Sequence, residues 1–281
     1  MAPSLDGLVD LEHYPIHDLD SGAGCALIAE YSTRLASDGA IVLPGFITPP
    51  ALGEMIAEVR ALAPMAYAGQ KQEPIYYGMS GRGFPVGHPR RALLARNLSQ
   101  LSFDLLADGS CLRQVYLHPD LHRFFATVRD SGPIYPMACP VQGVSVAGMA
   151  EGSNLQWHFD PSNFFVSILI QAPEAGGEFQ YAPDIRVPDD ENYDEVQCLV
   201  DGSSTGYVTL PQASGDLSIF RGRYSMHRVT PVRGARTRYM AVLSYEDQPG
   251  IVSKEESNRL IYGPRVAGMA AAVEGGRTRS L

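Results

Sequence analysis

Apolar and polar positions change their period about halfway along the chain. From Ser21 to Ala36 the positions Leu27, Ile28, Tyr31 and Leu35 share one helical face, and Asp38-Gly39 ends the segment. Ala40-Ile41-Val42-Leu43 then reads as a short strand. Thr48-Pro49-Pro50 opens a second helix, with Leu52, Met55, Ile56, Val59 and Leu62 on one face. Thr48 is placed as its N-cap, and the prolines follow where an N–H is dispensable. Residues 64–92, rich in Gly, Pro, Tyr and Arg, read as an irregular loop; residues 92–106 and 121–128 read as helices. After Val141 the runs are alternating or wholly apolar. Strands are expected at 143–149, 156–160, 164–171, 177–181, 195–200, 207–210, 216–220, 227–232 and 236–245. Many short strands broken by Gly, Pro and Asp argue for an antiparallel sandwich or barrel. The pattern predicts one domain over residues 1–264: a helical part at about 20–130, a β core at about 140–246, and a flexible small-residue tail at 265–281.

Composition narrows the class only a little. The 281 residues are 45% apolar and 19% charged, an ordinary globular mixture. With 22 basic and 31 acidic residues the net charge is −9, which disfavours a nucleic-acid binder. Cys25, Cys111, Cys139 and Cys198 are scattered and form no CxxC pair, so they read as thiols in a reducing cytoplasm. The N-terminus lacks an apolar signal core, and no apolar run is long enough to span a membrane. The oligomeric state stays open, a homodimer included.

The chemistry concentrates in His158-Phe159-Asp160. On a strand, residues i and i+2 share a face, so imidazole and carboxylate converge. His227 heads another expected strand, and two histidines with one carboxylate leave positions open on Fe(II) for a co-substrate and O2. Arg238 follows inside Arg236–Tyr245, where parity puts Arg236, Arg238, Met240, Val242 and Ser244 on one face. A guanidinium there suits the distal carboxylate of a 2-oxo acid.

This order resembles the Fe(II)/2-oxoglutarate-dependent oxygenases. Leu155–Asp160, Gly176–Phe179, Arg221–Val232 and His88-Pro89-Arg90-Arg91 are similar to a subgroup holding free-amino-acid hydroxylases and radical halogenases of free lysine. The resemblance spans roughly residues 20–264. It implies a mainly β fold with N-terminal α-helices, a double-stranded β-helix (jelly roll, cupin-like). It makes His158, Asp160 and His227 the iron ligands and catalytic centre. It makes Arg238 the partner of 2-oxoglutarate, with Arg236 in reserve. Halogenases of this type carry a small residue where the carboxylate would stand, leaving a site for chloride. Asp160 fills that position, so hydroxylation of a small molecule, a free amino acid or a similar metabolite, is expected. Desaturation or cyclisation of a natural-product intermediate uses the same cofactor chemistry and stays open. So do a cupin-type enzyme without 2-oxoglutarate and a non-catalytic jelly-roll sensor.

Around this set stand residues with weaker signals. Gln156, Arg82, Met240, Val242 and Ser244 are candidate substrate contacts. Tyr76, Tyr77, Arg82, His88 and Arg90, with glycines at 78, 81, 83 and 87, form a candidate lid. Trp157 should pack behind the site, His118 and His122 read as surface residues, and residues 184–195 as a solvated acidic excursion.

Overall fold

The computed structural model describes residues 4–77, 79–162, 164–270, 273 and 276–278, without the side chains of residues 70 and 71. Gly78 and the remainder of the tail lie outside the described residues. Helix α1, Gly22–Asp38, starts at Ser21, whose hydroxyl accepts from Gly24 N. Gly39, at φ +70°, closes it and leads into strand β1, Ala40–Leu43. Helix α2, Pro49–Leu62, begins after Thr48 as expected, but the Thr48 hydroxyl caps nothing; it donates to Gly7 O instead. That bond ties the lead-in to the body.

Two expectations fail between residues 64 and 106. Tyr67–Pro74 is strand β2, and Leu93–Leu101, expected to be helical, is strand β3 paired with it antiparallel along its length. Ala92-Leu93-Leu94-Ala95-Arg96 favours a helix by only tenths of a kcal/mol per residue. Ladder bonds to three neighbouring strands outweigh that preference. The polar sequence of β2 hid it because β2 pairs with β3 alone, at the edge. Helices α3, Cys111–Leu117, and α4, Pro119–Val128, follow. His118 lies between them, buried, and its Nδ1 accepts from Asp120 N; His122 reaches Tyr116 O at 2.9 Å. Both histidines therefore serve the helix junction rather than the surface.

The β core comprises β4, Val144–Met149; β5, Asn154–His158; β6, Phe165–Gln171; β7, Phe179–Ala182; β8, Val208–Leu210; β9, Leu217–Phe220; β10, Met226–Val229; and β11, Arg238–Leu243. The sheet order is β1-β9-β6-β11-β4-β3-β5-β10-β7-β8, all neighbours antiparallel. Strand β3 joins the two halves. The sheet curls so that Leu98 and Met149 meet Val229 and Val232, while Phe165 and Phe220 meet Phe179 and Tyr181. This is the mainly β jelly roll that the resemblance implied, with helices on its outer face. There Val166, Ile168, Ala241 and Leu243 pack against Leu112, Phe124 and Phe125.

Residues 195–200, expected as a strand, form helix α5, Tyr193–Asp201. Val196 and Leu199 both face inward at helical spacing, which a six-residue window does not separate from alternation. Helix α6, Glu255–Tyr262, was not anticipated, and the tail beyond it is partly docked. Val266 and Ala270 are buried with Met137, Val141 and Tyr262. Their small apolar side chains fill a satellite core. No helix among the described residues is long and apolar enough to cross a membrane.

Phe124 is fully buried where α4 meets the sheet. Phe124→Ala should cost about 3–5 kcal/mol, measured as a lower urea midpoint at unchanged m-value.

Candidate metal centre

Strands β5 and β10 pair with His227 opposite His158, bringing the two rings to 4.1 Å between centroids. The register then shifts, so that Val229 faces Leu155. This bulge lets both Leu155 and His158 face inward, while Trp157 packs outward against Tyr207 and under Arg228. Trp157 is thus the packing residue that its position suggested. Asp160 lies just past the strand, and its amide donates to Gly222 O at 3.1 Å.

Each imidazole is aimed by a carbonyl two residues before it. His158 Nδ1 meets Gln156 O at 2.7 Å, and His227 Nδ1 meets Ser225 O at 3.1 Å. A carbonyl only accepts, so each Nδ1 carries a proton and Nε2 is the ring nitrogen turned toward Asp160. The two Nε2 atoms stand 3.8 and 3.3 Å from the Asp160 carboxylate. One donor atom from each residue falls within 4.8 Å of the others. Burial, and then the neighbouring His227, push His158 down to about 3, so it stays neutral at physiological pH. Phe220 and Phe179 flank His227 at 4.8 and 5.5 Å. Two imidazole nitrogens and a carboxylate oxygen, converging in a largely apolar pocket, are the donors that a divalent first-row metal takes.

Asp160 can occupy its place because residue 222 is glycine. A Cβ on Gly222 would overlap the Asp160 carboxylate, lying 3.1 Å from Cγ and 3.0 Å from Cβ. On the other side Tyr77, from the β2–β3 connection, covers His158 ring on ring at 4.7 Å. Burial, and then the Glu73 carboxylate, hold the Tyr77 phenol well above its ordinary range. Glu73 in turn pairs with Arg96 at 3.1 Å. Tyr76 is fully buried and bridges to Phe159, while Arg90 stacks on Tyr76. His88 caps the short turn Pro89–Arg91. The candidate lid is therefore seated on the strand that carries the ligands.

Arg238 enters the core from the start of β11 and is 2% exposed. Its Nε donates to Gly177 O at 3.0 Å. Gly177, at φ +63°, leaves room for it; a Cβ there would lie 3.0 Å from Arg238 Cδ. No carboxylate pairs with Arg238 among the described residues, and burial alone pulls its pKa down to about 10. Met240 and Val242 share its face, since Tyr239, Ala241 and Leu243 face the helices. Arg236 precedes the strand, is exposed, and donates to Pro173 O, so it does not stand in for Arg238. Arg82 is exposed on the loop, Ser244 is held through its carbonyl by Tyr116 Oη, and Gln156 contributes its carbonyl to His158. A cleft of about 1050 Å³ lies beside Pro161, Phe164, Arg221 and Arg223, and none of the candidate substrate contacts lines it.

A family model described as "HalD: Halogenase D" matches residues 25–260. No curated protein matches the chain in sequence. Among solved structures, the epimerase SnoN in complex with Fe3+, alpha ketoglutarate and nogalamycin RO is 16% identical, at a TM-score of 0.55 over 79% of this chain and 84% of that one. AviO1 from Streptomyces viridochromogenes Tue57 is 17% identical, at 0.53 over 79% and 95%. HygX from Streptomyces hygroscopicus, with nickel, 2-oxoglutarate and hygromycin B bound, is 15% identical, at 0.52 over 88% and 94%. These likenesses establish a shared fold.

Two predictions follow from the geometry. Gly222→Ala should displace the Asp160 carboxylate and weaken Co(II) binding by about 10–100-fold, read by equilibrium titration, with the circular dichroism unchanged. The depressed pKa of His158 means that, as pH falls below about 6.5, the unfolded chain takes up a proton that the folded chain refuses. The metal-free protein should therefore lose stability between about pH 6.5 and 3. His158→Gln should flatten that slope in denaturant midpoints measured across the window.

Proposed function

From a chain that belongs to the Halogenase D family, we propose a non-haem Fe(II)/2-oxoglutarate-dependent oxygenase that hydroxylates a small molecule. A free amino acid, or a metabolite like one, is the favoured substrate class, on the strength of the subgroup motifs around residues 88–91, 155–160 and 221–232. The observation that carries the cofactor reading is the pairing of the His158–Asp160–His227 cluster with a buried guanidinium that no carboxylate among the described residues meets. An unpaired buried cation is costly, and a dicarboxylate ligand relieves that cost.

In this reading His158 Nε2, His227 Nε2 and the Asp160 carboxylate hold Fe(II). Arg238 takes the distal carboxylate of 2-oxoglutarate. Bound Fe(II), with 2-oxoglutarate and O2, supplies the oxidation: one oxygen atom goes to the substrate and the other to succinate, with release of CO2. The protein's part is orientation and exclusion of water. The Nδ1 bonds aim both imidazoles, with Nε2 toward the metal position. Tyr77 shields one face of His158, and Phe179 and Phe220 shield His227. Met240 and Val242, on the face of Arg238, give part of the pocket an apolar wall. The family's name points to halogen transfer, but Asp160 and its room at Gly222 favour a carboxylate as third ligand, where a halide would otherwise bind.

Anaerobic titration of Fe(II) and 2-oxoglutarate into metal-free protein should produce the visible charge-transfer band of a chelated 2-oxo acid. Arg238→Ala should require roughly 10–100-fold more 2-oxoglutarate for the same band, the loss expected for a charge-assisted bidentate pair. Fe(II) binding without any band would remove 2-oxoglutarate from the mechanism. Mass analysis of the product then separates hydroxylation from desaturation or ring closure.

A further inference from the structure

The segment between β9 and β10 offers four successive carbonyls, each with a donor. Gly222 O accepts from Asp160 N, and Ser225 O faces Nδ1 of His227. The two between them are both held by Arg186. Arg223 O accepts from Nε and Nη2 of Arg186, at 2.8 and 2.5 Å, and Tyr224 O accepts from the Arg186 amide at 3.3 Å. Two metal-facing residues and Arg186 thus hold the same short stretch of backbone.

The Arg186 guanidinium, 5% exposed, also lies over the ring of Phe159 at 4.1 Å; Phe159 is the residue between His158 and Asp160. Its remaining nitrogen, Nη1, binds Glu191 at 2.9 Å. Glu191 lies 3.7 Å from Arg90, whose own guanidinium covers Tyr76. We propose that Arg186 is a positioning residue of the metal centre. It clamps the Gly222–Ser225 backbone to Phe159, so that Asp160 and His227 keep their mutual distance before any metal arrives. Glu191 provides its counter-charge and extends the clamp to the loop that bears Tyr77. The proposal rests on the metal-centre reading above but not on 2-oxoglutarate or turnover.

Only a planar fork can grip one carbonyl with two nitrogens while stacking on a ring; an ammonium cannot. Arg186→Lys keeps the charge and much of the volume, so the fold should survive. In the metal-free protein, hydrogen exchange of the amides of residues 160 and 222–227 should accelerate, with the thermal midpoint close to wild type. Co(II) should bind about 10–100-fold more weakly and with an altered d–d spectrum, a signature that general loosening elsewhere would not produce. Glu191→Gln, which keeps the guanidinium, should give a smaller change in the same direction, and it serves as the test if Arg186→Lys proves unstable. Wild-type exchange and a wild-type Co(II) spectrum in Arg186→Lys would overturn the proposal. Failure of wild type itself to bind Co(II) would sink the metal-centre reading instead, and exchange at residues 160 and 222–227 would still decide the clamp.

Discussion

The register between β5 and β10 governs the site, because it sets His158 opposite His227. A slip of one residue would turn an imidazole to the outer face and bring Arg228 or Met226 inward. Apolar packing pins that register from both sides. Met226 and Trp157 are buried outside against Tyr76 and Val196, while Val229 and Leu155 meet Leu98 inside. The bulge after the histidine pair adjusts what strict alternation would have misdirected: it keeps Leu155 in the inner cluster without turning His158 away. Ligand geometry here is a consequence of sheet packing, and the short loops at the strand ends refine it.

Burial then decides protonation. His158, pressed by His227 and removed from water, gains nothing by charging, and its Nδ1 proton is committed to a backbone carbonyl. Arg238 keeps its charge in the same interior, with the Gly177 carbonyl and the Met149 thioether as its hydrogen-bond partners among the described residues. Converging metal-type donors at one place, and at another a buried cation that meets no carboxylate among the described residues, leave a site that is incomplete by itself. Under the proposed reading, a metal ion at the His158–Asp160–His227 cluster and a dicarboxylate at Arg238 would complete both ends. Buried charges in proteins are ordinarily paired.

The candidate cluster was legible in the sequence because its identity and order carry the chemistry: HxD, then His, then Arg at the head of an apolar strand. The jelly roll was legible for the related reason that its strands are short and punctuated. What was lost had weak or divided signals. Strand β3 is spelled with helix-forming residues, and only its partners make it a strand. Helix α5 shows two inward residues, too few to fix a period. Arg186 lay inside an acidic run, where one arginine among many carboxylates reads as a surface charge; its value comes from Arg223 and Phe159, which no local pattern links to it. Tyr77 was noticed as part of a loop, yet its place over His158 depends on β2 and β3, the hairpin that the sequence concealed.

The family's name points to halogen transfer, and the contact between Asp160 and Gly222 is the feature of this chain that bears on it. A site shaped for a halide would have empty volume where a carboxylate could stand. Here that volume is occupied: the carboxylate reaches both Nε2 atoms, its amide is bonded to Gly222 O, and any side chain at residue 222 would displace it. A carboxylate so placed also offsets one positive charge of a divalent metal, which a neutral small residue would leave for a halide to offset. Under the proposed reading, the choice between oxygen and halogen transfer would turn on one side chain and on the glycine that makes room for it.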